Sequence, residues 1–402
     1  MSQSRNIMAL SDVSANLKID ESELRRWVRG GLVQSRESDL SKSKSALFDL
    51  DDFKEFTGTA HNLGSTKRVV SFFSGCGGLD FGFRAAGFDL GFANDFFLDA
   101  VNTYANNLGP IDPRPIQEIA VNETGPATVL LAGFPCQPFS NAGSRLGTAD
   151  PRGTLFWETL KFVEYLKPKV VVFENVRGLL SMRNPDGGLL IDAIEHELAT
   201  RGYSVGHRLL NARKHGVPQN RHRVFIIGIR TDLNLGPFNF DLIETAEGKT
   251  VGEVLAKPFG NATSAEEHWP LSPQAMDLVN FIPPGGSWKN VPDEKLPARL
   301  VRIKENMARY HSPNFYRRFA PEEVMGTVTA AATPENSGIL HPHLPRRYTI
   351  REVARFQSFP DEFNFLGKSV AAKYKQIGNA VPPELARRVA HAILLHLGIA
   401  GS

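Results

Sequence analysis

Five apolar runs between residues 68 and 230 constrain the fold more than any other feature of the chain. They read RVVSFFS (68–74), DLGFAND (89–95), ATVLLAGF (127–134), PKVVVFEN (168–175) and RHRVFIIGIR (221–230). Continuous apolar runs of strand length are expected of parallel strands buried on both faces. Between the third and fourth, LFWETLKFVEYL (155–166) sets Phe156, Leu160, Val163 and Leu166 on one helical face. Strands alternating with helices predict βαβ units, and hence an α/β, Rossmann-like, doubly wound sheet. Ligands of such sheets bind beyond the carboxyl ends of the strands.

The flanks read differently. In MALSDVSANLKIDESELRRWVRGGL (8–32) a polar-capped helix starts near Ser11 and a turn follows at residues 19–21. A second helix turns Leu24, Trp27 and Val28 inward and Arg25, Arg26 and Arg29 outward. QSRESDLSKSKS (34–45) reads as a wing and FDLDDFKEF (48–56) as a short helix. Residues 1–57 therefore predict a winged helix-turn-helix module. It resembles that of mercury-resistance-type regulators, with Arg25, Arg26 and Arg29 facing DNA. A linker follows at 58–67. Residues 231–345 lose any clear period and read as an inserted second domain. Regular helices return in TIREVARFQSF (349–359) and in PPELARRVAHAILLHL (382–397), the latter with proline at its start.

Composition narrows the function. The 402 residues suit two or three domains, and the net charge of +3 leaves any polyanion to a local patch. No run of 18 apolar residues exists, and no secretory signal is visible. Two cysteines, Cys76 and Cys136, give neither a disulfide framework nor a zinc set, so a cytoplasmic location without a metal is expected.

Three places carry chemistry. FFSGCGGLDFGF (72–83) follows a strand and opens a helix, and Gly75, Gly77 and Gly78 let backbone N–H groups approach a ligand. The spacing is not G-x-G-x-x-G, and no phosphate loop is present. Asp95 ends the next strand, where an acid can bind ribose hydroxyls, so a nucleoside without phosphates fits best. Cys136, in AGFPCQPFS (132–140), and Glu174 stand at the carboxyl ends of neighbouring runs. A thiol and a carboxyl should therefore meet in one crevice. After Cys136, residues 137–155 are polar and glycine-bearing and read as a mobile loop.

These motifs in this order resemble the DNA (cytosine-5)-methyltransferase family. The set is FSGCGGLDFGF (73–83), ND (94–95), GFPCQPFS (133–140), DPRGTLF (150–156), ENV (174–176), QNRHRVFIIG (219–228), TIREVARFQSFP (349–360) and QIGNAVPPELA (376–386). The resemblance implies S-adenosyl-L-methionine as cofactor and transfer of its methyl group to carbon 5 of a flipped cytosine in double-stranded DNA. It implies Cys136 as nucleophile, Glu174 at N3 of the base, Arg223 at the carbonyl oxygen and Arg221 in support. For the cofactor it implies Phe73 and Phe96 beside adenine and Asp95 on the ribose. Gly75, Cys76, Gly77, Gly78, Pro135, Asn379 and Val381 would line the rest. The family commonly has Asp-Ile near adenine, where this chain offers Glu118 and Ile119.

By resemblance, 68–230 with 346–402 form the catalytic domain and 231–345 the target-recognition domain. DNA contacts are expected from Gln137, Ser140, Arg317 and Arg318. The expected setting is the modification half of a bacterial restriction system, acting as a monomer, with the N-terminal module able to bind its own promoter. Two alternatives stay open: a transfer-RNA cytosine methyltransferase, and a transcription regulator that keeps the fold.

Overall fold

The computed structural model describes residues 7–17, 21, 25, 47–49, 66–135, 154–259, 266–306, 315–330 and 338–399. The chain divides into two compact units. One comprises Met1–Leu209, Arg223–Leu242 and Ala390–Ser402, the other Leu210–His222 and Ile243–Val389.

At the N-terminus, β1 (Ile7–Ala9) leads directly into α1 (Leu10–Leu17), whose Leu10 and Val13 are buried. β1 pairs antiparallel with β2 (Leu47–Asp49), Ile7 facing Asp49. Phe48 and Asp49, expected to open a helix, are thus strand residues. The expected wing lies outside the described residues.

A six-stranded sheet dominates the first unit. Its strands are β3 (Arg68–Phe72), β4 (Asp89–Asn94), β5 (Val129–Ala132), β6 (Val170–Val176), β7 (Tyr203–Asn211) and β8 (His222–Arg230), in the order β4-β3-β5-β6-β8-β7. β4, β3, β5 and β6 run parallel, with Phe72 opposite Asn94 and Ala132, and Ala132 opposite Phe173. Every residue of β3 and β5 is buried, which is why their sequences do not alternate.

Among the described residues, α2 (Gly78–Ala85), α3 (Leu98–Leu108), α4 (Thr154–Leu166) and α5 (Leu190–Ala199) are the α-helices of this unit between β3 and β7. Phe156, Leu160 and Val163 of α4 join Phe72, Phe134 and Phe173 in one core cluster. Phe134 stands 5.5 Å from the Phe156 ring and 5.2 Å from that of Phe173. Each such ring contributes about 1.5–3 kcal/mol on burial.

The sheet is mixed rather than wholly parallel, because β8 runs antiparallel to β6. Residues 212–221, between β7 and β8, hold one 3-10 turn, Ala212–Lys214, and no helix. Parallel neighbours need a longer, usually helical, crossover.

In the second unit, α6 (Val251–Ala256), α7 (Pro273–Val279) and α8 (Ala298–Glu305) are short helices among turns. Trp288, wholly buried, is packed with Leu278, Val279, Ile282, Leu300 and Ile303. α9 (Ile350–Phe356) starts from a capping box of Thr349 and Glu352, and α10 (Val370–Asn379) from Ser369. α11 (Pro383–His396) follows. Residues 346–389, grouped with the catalytic domain in the sequence reading, pack in this second unit, and 390–402 in the first. Among the described residues no helix is long and apolar enough to cross a membrane.

Candidate active site

The carboxyl end of β3 runs into the glycine-rich turn. Phe73, Gly75 and Gly77 take positive φ values of 55°, 57° and 93°. A β-carbon on Gly77 would lie 2.1 Å from Leu108 Cδ1 and 2.9 Å from the Tyr104 ring, so only glycine fits there. The left-handed Phe73 is a strained residue that the neighbouring structure must hold, a condition common at ligand sites. The N–H of Ser74 donates to Asn94 O at 3.0 Å, and that of Gly77 to Ser74 O at 2.9 Å.

Asp95 follows β4. Its carboxylate accepts the Gly75 N–H and the Phe97 N–H, each at 2.8 Å. Burial pushes this carboxyl above its ordinary range, and the N–H groups of Phe97, Gly75 and Phe96 oppose that. Asp95 thus fixes the turn from the end of the next strand. Phe96 beside it is 62% exposed, a ring face open to a planar ligand. Ile119 is buried, and Glu118 is exposed at the end of the 3-10 turn Ile116–Glu118. Cys76 is buried and burial pushes its thiol up to about 12, so it packs under the turn as a neutral side chain. Gly78 is the first residue of α2.

The next two strands end beside this turn. A β-carbon on Gly133, just past β5, would stand 3.7 Å from Glu174 Oε2 and 3.8 Å from Phe73 O. Phe134 is buried and Pro135 exposed. Cys136, Gln137 and Ser140 lie outside the described residues. Glu174, on β6, is 8% exposed, and its Oε1 is 2.7 Å from Arg223 Nε. The antiparallel register produces this pair, since Val176 faces Arg223 and Glu174 faces Phe225. Asn175, which the sequence reading passed over, donates to Phe134 O at 3.0 Å, while its Oδ1 accepts the Val176 N–H at 2.8 Å. It ties the end of β6 to the backbone two residues before Cys136.

The next expected residues belong to the second unit. Arg221 is wholly buried and donates to Val328 O, Gly378 O and Ala380 O at 2.8, 2.7 and 3.0 Å. It braces the backbone of the QIGNAVPP segment, a correction to its expected place among the catalytic groups. Gly378 is required there, because a β-carbon would come within 2.4 Å of Ala330 N. Asn379 ends α10 with an exposed side chain, and Val381 is buried.

Two DNA-contact expectations are also corrected. The Arg318 guanidinium is buried and donates to Val279 O, Ile282 O and Leu344 O. Arg317 bonds Glu323 and two carbonyls and stacks 4.6 Å from the Phe319 ring centroid. Both serve the unit's own structure, because buried carbonyls need donors and a guanidinium supplies several. Arg25 pairs with Glu21, and Arg26 and Arg29 lie outside the described residues.

A tight glycine-rich turn, an acid at the end of the next strand and an exposed ring suit a nucleoside ligand. A buried acid–arginine pair, at the strand beside the cysteine-bearing exit, suits a polar heterocycle.

Comparison with known proteins agrees with this geometry. A family model described as C-5 cytosine-specific DNA methylase matches residues 67–395. The type II methyltransferase M.NgoFVII of Neisseria gonorrhoeae is 36% identical over 347 residues, covering 83% of this chain and 88% of that protein. M.Eco47II of Escherichia coli is 30% identical over 411 residues, covering 96% and 95%. Among solved structures, Spodoptera frugiperda DNMT2 superposes with a TM-score of 0.57 at 16% identity, over 82% of this chain and 99% of that one. At that identity the likeness concerns the fold.

Proposed function

We propose, for a chain that belongs to the C-5 cytosine-specific DNA methylase family, that it is the modification enzyme of a type II restriction system and works through a covalent Cys136 adduct. It is a DNA (cytosine-5)-methyltransferase that uses S-adenosyl-L-methionine. The observation carrying the mechanism is the Glu174–Arg223 pair, held at 2.7 Å between β8 and β6, with β6 next to β5, the strand that precedes Cys136 in sequence.

The residues of the turn fit the cofactor. Asp95 would hold the ribose, Phe73 and Phe96 the adenine, and Gly75, Gly77 and Gly78 would line the methionine end. When bound, the cofactor supplies a methyl group on a sulfonium.

Carbon 5 of cytosine is a poor nucleophile. Addition of the Cys136 thiolate to carbon 6 makes carbon 5 enamine-like and able to accept a methyl cation. Glu174 faces N3, where charge develops, and Arg223 orients Glu174 and meets the carbonyl oxygen. Loss of the carbon-5 proton then expels Cys136 and restores the aromatic ring. These atoms are inaccessible within a duplex, so the base must swing out. Gln137 and Ser140, which follow Cys136 in sequence, would fill the gap.

Labelled methyl transfer to duplex DNA and to transfer RNA separates the substrates. Label is expected in duplex DNA, and bisulfite sequencing should place it at one cytosine of a short recurring site. Incorporation into transfer RNA alone would reverse the reading.

The N-terminal module is proposed as a promoter-binding element, supported by the helix α1, the β1–β2 pair and the arginines of LRRW. The family match begins at residue 67. Deleting residues 1–66 should leave methyl transfer within about threefold while weakening upstream DNA binding by about tenfold, since each lost phosphate contact lowers affinity. Unchanged upstream binding in a mobility-shift titration would refute the regulatory role.

A further inference from the structure

Two carboxylates flank the glycine-rich turn, and among the described residues neither has a cationic partner. Asp80, in the first turn of α2, has no exposed surface. Its Oδ2 accepts the Ser71 hydroxyl of β3 at 3.0 Å, and its Oδ1 accepts the Tyr104 phenol of α3 at 3.0 Å. Ser71 Oγ is also 2.9 Å from Ser74 Oγ in the turn itself. The second carboxylate, Asp95, holds Gly75 from the other side. Cys76, which precedes both in sequence, feels both charges.

Burial raises Asp80 to about 6, the hydroxyls of Ser71 and Tyr104 oppose this, and Asp95 adds to it. Arg84, on the same helix, acts on Tyr104. A carboxyl raised on folding favours the folded state most below its unfolded value and loses that contribution as pH rises through about 6. At neutral pH this buried charge therefore opposes folding. A cation bound at the turn would offset it.

We propose that Asp80 is a specificity-determining residue whose buried charge, together with that of Asp95, favours the cationic sulfonium of S-adenosylmethionine over the neutral thioether of S-adenosylhomocysteine. This rests on the reading that the turn holds the cofactor. The two ligands share their adenosine, amino and carboxylate groups, so those contacts cancel in the ratio of affinities. The sulfonium charge does not cancel. An enzyme must release its product before taking up new cofactor, and a charge that weakens on methyl transfer assists that exchange. Tyr104 and Ser71 keep the carboxylate ionised, and the ring of Tyr104 also backs Gly77.

The test is calorimetric titration of the full chain with each ligand between pH 5 and 8. The preference for S-adenosylmethionine should be full above pH 6 and fall as pH drops through that value. Near pH 6, binding of S-adenosylmethionine should release protons, read from buffers of different ionisation enthalpy, and S-adenosylhomocysteine should release far fewer. Asp80→Asn should lower the preference by about five- to tenfold, as expected for unit charges in a partly polar interior, and abolish the difference in proton release. An unchanged ratio in folded Asp80→Asn would overturn the proposal.

Tyr104→Phe keeps the charge and the ring while removing one donor, so the pH midpoint of the preference should move upward. If Asp80→Asn fails to fold, an unmoved midpoint in Tyr104→Phe overturns the proposal instead. Asp95→Ala tests the underlying reading, because both ligands should bind at least about tenfold more weakly without the ribose contact. Retention of both affinities there would remove the cofactor from this turn, a failure distinct from that of Asp80.

Discussion

Cys136→Ala is expected to abolish methyl transfer, by about 10⁴-fold or more, the scale on which loss of a covalent nucleophile acts. The size follows from the chemistry. Without addition at carbon 6, carbon 5 keeps its aromatic character and cannot take the methyl group. S-adenosylmethionine should still bind within about threefold, because a side chain that acts on the base contributes to the reaction and not to the affinity of the turn. Labelled transfer and calorimetric binding measured on one preparation check both halves. Turnover within tenfold of the parent would end the covalent mechanism.

The second large effect concerns Glu174 and Arg223, whose side chains are 10% and 11% exposed. Glu174→Gln keeps the shape and loses the charge and the exchangeable proton. It should lower kcat by about 10²–10³-fold, as loss of a positioned acid does. Arg223→Ala removes the cation that stands 2.7 Å from a buried carboxylate, which should cost about 3–5 kcal/mol of stability as well as activity. The double variant Glu174→Gln/Arg223→Ala should recover stability relative to Arg223→Ala and remain inactive. Denaturant melts and steady-state rates on the three variants separate a catalytic pair from a merely structural one. A structural pair would leave kcat of Glu174→Gln near that of the parent.

Much of the sheet was legible because β3, β4, β5, β6 and β8 lie in continuous apolar runs. β7 was not. YSVGHRLLN mixes buried Tyr203 and Leu210 with exposed His207 and Arg208, the pattern of a sheet-edge strand that no apolar run announces. Nor does an apolar run encode direction, so the antiparallel course of β8 had to come from the short connection before it. Phe48 and Asp49 read as part of a short helix in FDLDDFKEF, yet strand pairing with β1 takes them.

The site divides in the same way. Glu174 and Arg223 could be named from their motifs, but only the register of β6 against β8 brings them together. Arg317 and Arg318 read as DNA contacts and Arg221 as a support to Arg223, and all three instead meet carbonyls supplied by distant segments, for which no local signal exists. Asn175 sits inside a motif already noticed, and its bond to Phe134 O crosses between strands that sequence cannot align. Asp80 looks like an ordinary acid in the first turn of a helix. Its burial and its partners from β3 and α3 make it unusual.

The covalent route through Cys136 is tested most directly by a duplex whose target cytosine carries fluorine at carbon 5. Fluorine cannot leave as a proton, so the methylated adduct cannot expel the thiolate. With S-adenosylmethionine present, the parent enzyme should form a denaturant-stable complex with this duplex, and peptide mass mapping should place the bond at Cys136. Methylation of ordinary duplex DNA by the same preparation, with no trapped adduct on the fluorinated duplex or with the adduct on another residue, would contradict the mechanism.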